Sequence, residues 1–231
     1  MEIDQFWHIL KTSYGYQSFR KRGFLVRKFS LWATFIYYVQ LLNIILIESI
    51  TARKGTYDRK TWARGSFGVV KIVESAGGRL HVSGLKGVVE HQEPLVYVAN
   101  HMSLLDTLVL PCILLAFHRV TFVVKKGLLE YPVLGSIIRA VHPIAVTRQN
   151  PREDLKLVLM QGQTLISQGC SIIIFPQATR SSVFDVASFN SLGVKLARKA
   201  GVAVVPVALK TDFQGNGRIY FDFELFIGVH S

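Results

Sequence analysis

Five short apolar runs, at residues 95–99, 120–124, 143–147, 171–175 and 203–209, alternate with stretches of helical spacing at 103–117, 128–140, 151–167 and 188–200. No other feature restricts the fold of this chain as much. Runs of Val, Ile and Leu that lack polar alternation mark strands buried on both faces, and a helix between successive strands lets them run parallel. The helix at 151–167 opens on Asn150-Pro151, a side-chain cap with proline at the first helical position. The rhythm predicts an α/β fold, with a mixed, largely parallel sheet flanked by helices. Upstream, residues 67–73 and 80–82 read as strands of a hairpin joined through Ala76-Gly77-Gly78.

In open α/β sheets, ligands bind beyond the carboxyl ends of the strands. Here the first strand runs into Asn100-His101, the second into Lys125-Lys126, the third into Arg148, and the fourth into Pro176-Gln177-Ala178-Thr179-Arg180-Ser181. Asp106 follows His101 by five residues, a spacing that suits a base and the carboxylate that orients it. Five residues along one helix are about 140° apart, so the pair meets only if His101 precedes the helix and Asp106 lies one turn inside it. Asn100 or Ser103 then caps that helix. Any one cation at a loop is ordinarily just solvated. Two lysines and two arginines at the same sheet edge as a base instead suit an anionic, phosphorylated substrate whose hydroxyl must lose a proton. Arg148 and Arg180 match phosphate oxygens with their guanidinium forks, and Lys125 or Lys126 adds point charge.

The other motif-like residues take plainer readings. His81, His91, His118, His142 and His230 have no partner at motif spacing and read as structural. No glycine-flanked elbow surrounds Ser103 or Ser181, so neither reads as a nucleophile. Ser103 serves as a cap or acceptor contact and Ser181 as a phosphate contact. Asp185 and Asn190 fit either the acceptor site or turn and cap duties.

A formal charge of +12 calls for an anionic partner. A mean hydropathy of +0.32 favours a membrane surface over nucleic acid, for which no recognition motif is present. Residues 29–47 form nineteen uncharged residues, just long enough to span a bilayer but holding Ser30, Thr34, Gln40 and Asn43. Basic residues flank the segment on both sides: Arg20, Lys21, Arg22, Arg27 and Lys28 before it, Arg53, Lys54, Arg59, Lys60 and Arg64 after it. That symmetry suits a monotopic segment in one leaflet, with Trp7, Trp32 and Trp62 near the interface, over a single-pass anchor. The expected division is an N-terminal membrane-anchoring helical region at 1–62 and an α/β catalytic domain at 63–231, on the cytoplasmic face. Cys112 and Cys170 lie far apart in apolar runs and offer no metal-ligand spacing; both read as buried thiols.

Taken together, Asn100-His101-x-x-x-x-Asp106, Pro143-Ile144-x-x-x-Arg148, Phe175-Pro176-Gln177-Ala178-Thr179-Arg180-Ser181 and Val205-Pro206-Val207 resemble the four-block signature of the glycerolipid acyltransferases. Within that family the chain resembles the bacterial 1-acylglycerol-3-phosphate acyltransferases, and the similarity covers about residues 66–225. The resemblance implies acyl transfer from a coenzyme A or acyl-carrier-protein thioester to a lysophospholipid hydroxyl, with no metal and no cofactor beyond the donor. It makes His101 the general base, Asp106 its orienter, and Arg148 with Arg180 the acceptor-phosphate ligands. Asn100, Ser103, Lys125, Lys126, Gln177, Thr179 and Ser181 complete the expected substrate-binding set. Backbone N–H groups or a lysine near 125–126 would stabilise the oxyanion. The resemblance also implies a two-helix membrane-bound N-terminus, and the Pro206 block would shape the acyl side.

The third block usually reads Phe-Pro-Glu-Gly-Thr-Arg-Ser in that family, so Gln177 and Ala178 are departures. Gln177 keeps the reach of glutamate without its charge, and Ala178 disfavours a positive φ. The expected acceptor is 1-acylglycerol-3-phosphate, giving phosphatidic acid. The departures leave open another lysolipid, such as a lyso-amino-acid lipid, or a coenzyme-A-independent transacylase. From a different class, a non-catalytic lipid-binding protein on the same fold has no need of a base and its orienter.

Overall fold

A computed structural model describes residues 1–18, 30–177, 179–181 and 185–213. The basic cluster from Arg20 to Lys28, Ala178 and His230 lie outside the described residues. Strands β3 (Val96–Ala99), β4 (Arg119–Lys125), β5 (Ile144–Val146), β6 (Cys170–Ile174) and β7 (Val204–Val207) form a five-stranded sheet in the order β5-β4-β6-β3-β7. Every pairing in it is parallel, with Val98 opposite Ile174 on one side and Pro206 on the other. Antiparallel pairing among the described residues is confined to Tyr16–Gln17 and His81–Val82, strands β1 and β2.

Successive residues of a strand face opposite layers, and both layers are apolar. Val96, Ile172 and Ile174 pack with Val158 and Leu196, which lie on the helices Pro151–Ser167 and Leu192–Ala200. Tyr97, Ile173 and Val205 face the other way, into a core shared with the N-terminal helices. Burial on both faces is why these strands read as unbroken apolar runs. The Asn150 side chain caps the helix Pro151–Ser167 by accepting from the backbone of Arg152 and Glu153, as the Asn-Pro pair predicts.

The expected hairpin at 67–82 is a helix for most of its length. Helix α3 (Arg59–Ser75) starts at Asp58, whose carboxylate accepts from Thr61 N at 2.7 Å, and buries Ala63, Ser66, Phe67, Val70 and Val73. Those positions recur at helical spacing, and the β-branched cluster near their end imitates a strand when read alone. Gly77, at φ +89°, turns the chain after the helix, and Gly78 N donates back to Val73 O. Only His81–Val82 remains extended.

Helix α1 (Ile3–Ser13) buries Ile3, Phe6 and Leu10, and Phe6 stacks on Phe67 with ring centroids 4.7 Å apart. The boundary expected between residues 62 and 63 falls inside α3, which shares a core with α1 and the sheet. Helix α2 (Ser30–Arg53) buries Tyr37, Leu41 and Ser49, while Phe35, Ile36, Val39, Leu42, Ile47 and Ile50 stand exposed. Its stretch Thr34–Arg53 is long and apolar enough to cross a membrane by length and composition. Of the three tryptophans expected at an interface, only Trp32 is exposed. Trp7 instead donates to Cys112 O at 2.8 Å under the Arg59 guanidinium, and Trp62 faces Phe122 inside the fold.

Phe6→Ala is expected to lower the unfolding free energy by about 3–5 kcal/mol, the usual cost of emptying a buried aromatic site. Chemical denaturation in detergent measures it, and a loss near zero would show that α1 is only peripherally attached.

Candidate active site

Strand β3 delivers its carboxyl end between β6 and β7, and side chains from both neighbouring segments fasten the loop that leaves it. Asn100 Nδ2 donates to Leu209 O at 2.8 Å, and Leu209 N returns a bond to Asn100 Oδ1 at 2.7 Å. His101 N donates to Gln177 Oε1 at 2.8 Å, while His101 O accepts from Ser181 N at 2.9 Å. The turn after β6 is thereby laid against the histidine. The imidazole also stacks on Phe175, with centroids 4.3 Å apart and planes 24° from parallel.

Ser103 ends the loop as the N-cap of helix α4 (Leu104–Leu114), its hydroxyl accepting from Leu105 N, and Asp106 is the third helical residue. This puts His101 before the helix and Asp106 one turn inside it, the arrangement that the five-residue spacing demands. His101 Nδ1 lies 2.9 Å from Asp106 Oδ2. A carboxylate only accepts, so Nδ1 carries the proton of the neutral ring and Nε2 carries the lone pair. Asp106 Oδ2 accepts in addition from Met102 N at 2.6 Å and Ser103 N at 2.9 Å, and Oδ1 from Thr211 Oγ1 at 2.6 Å. The carboxylate is fully buried, whereas the histidine side chain keeps 18% of its surface accessible. The dyad can take a proton at Nε2 and hold the resulting imidazolium.

His101 opens on a cavity of about 240 Å³ whose polar lining includes Lys125 and Arg148. Most of the remaining wall is hydrocarbon or aromatic, including Ile44, Ile45, Trp62, Leu108, Phe122 and Ile138. Arg148 sits in the left-handed region at φ +62°, a strained conformation for a side chain with a Cβ. Asp154 stabilises that bend, accepting from Thr147 N at 2.9 Å and Arg148 N at 2.7 Å. The sheet edge therefore brings His101, Lys125 and Arg148 to one cavity. Lys126, Thr179 and Arg180 are exposed outside its lining, with Arg180 next in sequence to Ser181, which bonds His101.

Asn100, Ser103 and Gln177, expected from sequence among the substrate contacts, hold the loop around His101. Their side-chain oxygens are taken up by Leu209 N, Leu105 N and His101 N, and all three residues are buried. Asn190 likewise bonds Pro176 O and caps the turn before Leu192. His118 bridges Tyr97 and the His91 carbonyl, and burial pushes its pKa down. Both cysteines are buried and free, and burial pushes the Cys112 thiol up to about 12. Sequence reading missed two residues of the site. Phe175 had a signal, since it opens the third block and directly follows β6. Thr211 had none, because it meets Asp106 across 105 positions of sequence.

The sequence profile of the acyltransferase family matches residues 79–210. A 1-acyl-sn-glycerol-3-phosphate acyltransferase of Pseudomonas aeruginosa is 32% identical over 149 residues, which are 64% of this chain and 55% of that protein. A chloroplastic 1-acyl-sn-glycerol-3-phosphate acyltransferase of Arabidopsis thaliana is 28% identical over 190 residues, 81% of this chain and 49% of its own. The chain thus spans about half the length of these curated relatives. Among solved structures, the 1-acyl-sn-glycerophosphate acyltransferase of Thermotoga maritima superposes with a TM-score of 0.61 at 23% identity, covering 89% of this chain and 85% of the other. That likeness shows the fold.

Removing the Thr211 hydroxyl takes a donor from a buried carboxylate. Thr211→Val is expected to cost about 1–3 kcal/mol of stability, with Thr211→Ser recovering most of it. Paired denaturant unfolding curves read both, and a Thr211→Val variant as stable as the wild type, beside a Thr211→Ser variant that loses stability, would mean that packing of the γ-methyl, rather than the hydrogen bond, is what matters.

Proposed function

This chain belongs to the acyltransferase family, and from that premise we propose that it transfers a fatty acyl group from a thioester to the free hydroxyl of a lysophospholipid. The acceptor is 1-acylglycerol-3-phosphate and the product phosphatidic acid; the donor is acyl-CoA or acyl-carrier protein. The observation that carries the reading is the His101–Asp106 pair opening on a largely apolar cavity with Lys125 and Arg148 in its wall. Hydrocarbon lining suits an acyl chain, and the cations suit phosphate.

In the proposed mechanism His101 Nε2 takes the proton of the acceptor hydroxyl as its oxygen attacks the thioester carbonyl. Asp106 keeps Nδ1–H in place and stabilises the imidazolium. The tetrahedral intermediate then collapses, the C–S bond breaks, and Nε2 returns its proton to the departing thiolate. Arg148, aided by Arg180 on the adjoining turn, binds the acceptor phosphate. Lys125 or a backbone N–H stabilises the oxyanion.

The replacement of glutamate by Gln177 leaves this scheme intact, since Oε1 accepts from His101 N, a bond that either side chain can make. The exposed apolar side chains of α2 support membrane attachment, with α2 lying in one leaflet and the site at the cytoplasmic surface, where lipid acceptor and water-soluble donor meet.

His101→Ala is expected to lower acyl transfer from labelled acyl-CoA to 1-acylglycerol-3-phosphate by about 10²–10⁴-fold, the usual contribution of a general base. Transfer persisting at the wild-type rate in the purified variant would remove His101 from that role. Arg148→Ala is expected to raise the KM for the acceptor at least about tenfold, the loss of one charge-assisted contact, with a smaller change in the KM for the donor. A panel of lysolipids without a terminal phosphate monoester checks the assignment, because their KM values should be insensitive to the substitution.

A further inference from the structure

Past β7 the chain continues as a stretch whose alternate residues face inward. Leu209, Thr211 and Phe213 are buried, while Lys210 and Asp212 are the more exposed and pair at 3.2 Å, a period of two that marks extended backbone. Each inward residue fastens a different part of the fold. Leu209 exchanges two backbone bonds with the side chain of Asn100, the residue before His101. Thr211 Oγ1 donates to Asp106 Oδ1 at 2.6 Å. Phe213 sets its ring against Tyr37 of α2, with centroids 5.3 Å apart and planes 72° from parallel. Gly78 makes room for that ring, since a Cβ there would come within 2.8 Å of it. Tyr37 and Leu41, four residues on, lie on the buried side of α2, and the opposite side exposes Phe35, Val39 and Leu42.

A line of short contacts therefore runs from α2 to the base, through Tyr37, Phe213, Thr211 and Asp106 to His101. Asp106 Oδ2 serves His101, Met102 and Ser103, whereas Oδ1 is met by Thr211. Withdrawing the Thr211 hydroxyl leaves a buried carboxylate oxygen unmet, and the group can seek another donor only by turning about its Cβ–Cγ bond. That turn carries Oδ2 off the His101 ring. The hydroxyl stays in place because the chain is pinned two residues away on either side, at Leu209 and at Phe213. We propose that Phe213 is a positioning residue: seated between Tyr37 and Gly78, it holds Thr211 on Asp106, so that the aim of His101 depends on the docking of α2. This rests on the reading of His101 as the base in acyl transfer.

The test is a double-mutant cycle on kcat, measured per folded molecule with the full-length protein in detergent, labelled acyl-CoA and 1-acylglycerol-3-phosphate. Phe213→Ala and Thr211→Val are each expected to lower kcat by about 10–100-fold, the scale of loss from a small misplacement of a reacting group. Both KM values should hold, because neither residue lines the cavity. Residues that act through one another are not additive, so the double variant should be no slower than the slower single one. A general loss of stability would multiply the two losses instead. Phe213→Leu keeps apolar bulk over Gly78 and should recover most of the rate. Tyr37→Ala should reproduce Phe213→Ala, and it supplies the same cycle with Thr211→Val if Phe213→Ala does not fold. Multiplying losses, a wild-type kcat in Phe213→Ala, or a wild-type kcat in Tyr37→Ala overturns the proposal while leaving the base in its role. If His101→Ala is as active as the wild type, or the wild type transfers no acyl group, the functional reading and the proposal fail together.

Discussion

The carboxylate of Asp106 is the interaction on which the rest of the structure depends. It is buried and accepts from four donors: the His101 ring, the backbone of Met102 and Ser103, and the Thr211 hydroxyl. Such a charge away from water is tolerated only when its lone pairs are met. Each donor serves a different level of structure. Ser103 N closes a capping box and starts a helix, Met102 N shapes the loop after β3, and Thr211 ties in the chain beyond β7. The histidine is thus aimed by a group that cannot turn away without undoing a helix start and a strand end. Its location at the positive end of that helix adds to the hold.

Around this centre, the parallel sheet determines which side chains can meet. All five strands run the same way, so the segments leaving β3, β4, β5 and β6 emerge on one edge. The edge alone does not aim them. Arg148 reaches the cavity from a left-handed residue that Asp154 holds in place, and the β6 turn is docked by two bonds to the His101 backbone. Strain and buried polar bonds concentrate where the geometry has to be most exact, whereas the strands themselves are held by interchangeable aliphatic packing.

Legibility in the sequence tracks the range of the interactions involved. The strands of the sheet and the meeting of His101 with Asp106 depend on local period and spacing, and both are legible. The stretch at 67–73 misleads because its β-branched residues outweigh a helical period that becomes clear only when traced back to Ala63. Amide side chains are the hardest to assign. Asn100 and Gln177 sit in the motif beside the reactive residue, but their bonds run to Leu209 and to the His101 backbone, partners 109 and 76 positions away. A motif marks which residues gather at a site, without distinguishing those that meet a ligand from those that hold the others still. Thr211 lies beyond the reach of any local pattern for the same reason.

Helix α2 has two jobs that its hydropathy alone would merge into one. Its exposed side carries Phe35, Val39, Leu42 and Ile50, while Ile44, Ile45 and Glu48 form part of the cavity wall. Clipping off the first fifty residues to obtain a detergent-free protein would therefore remove one side of the cavity along with the greasy surface. The shortened chain would keep its His–Asp pair and an unroofed trough beside it. Catalytic silence in such a preparation would say nothing about the dyad. Polar replacements confined to the outward positions of α2 are the route to solubility that leaves the cavity whole.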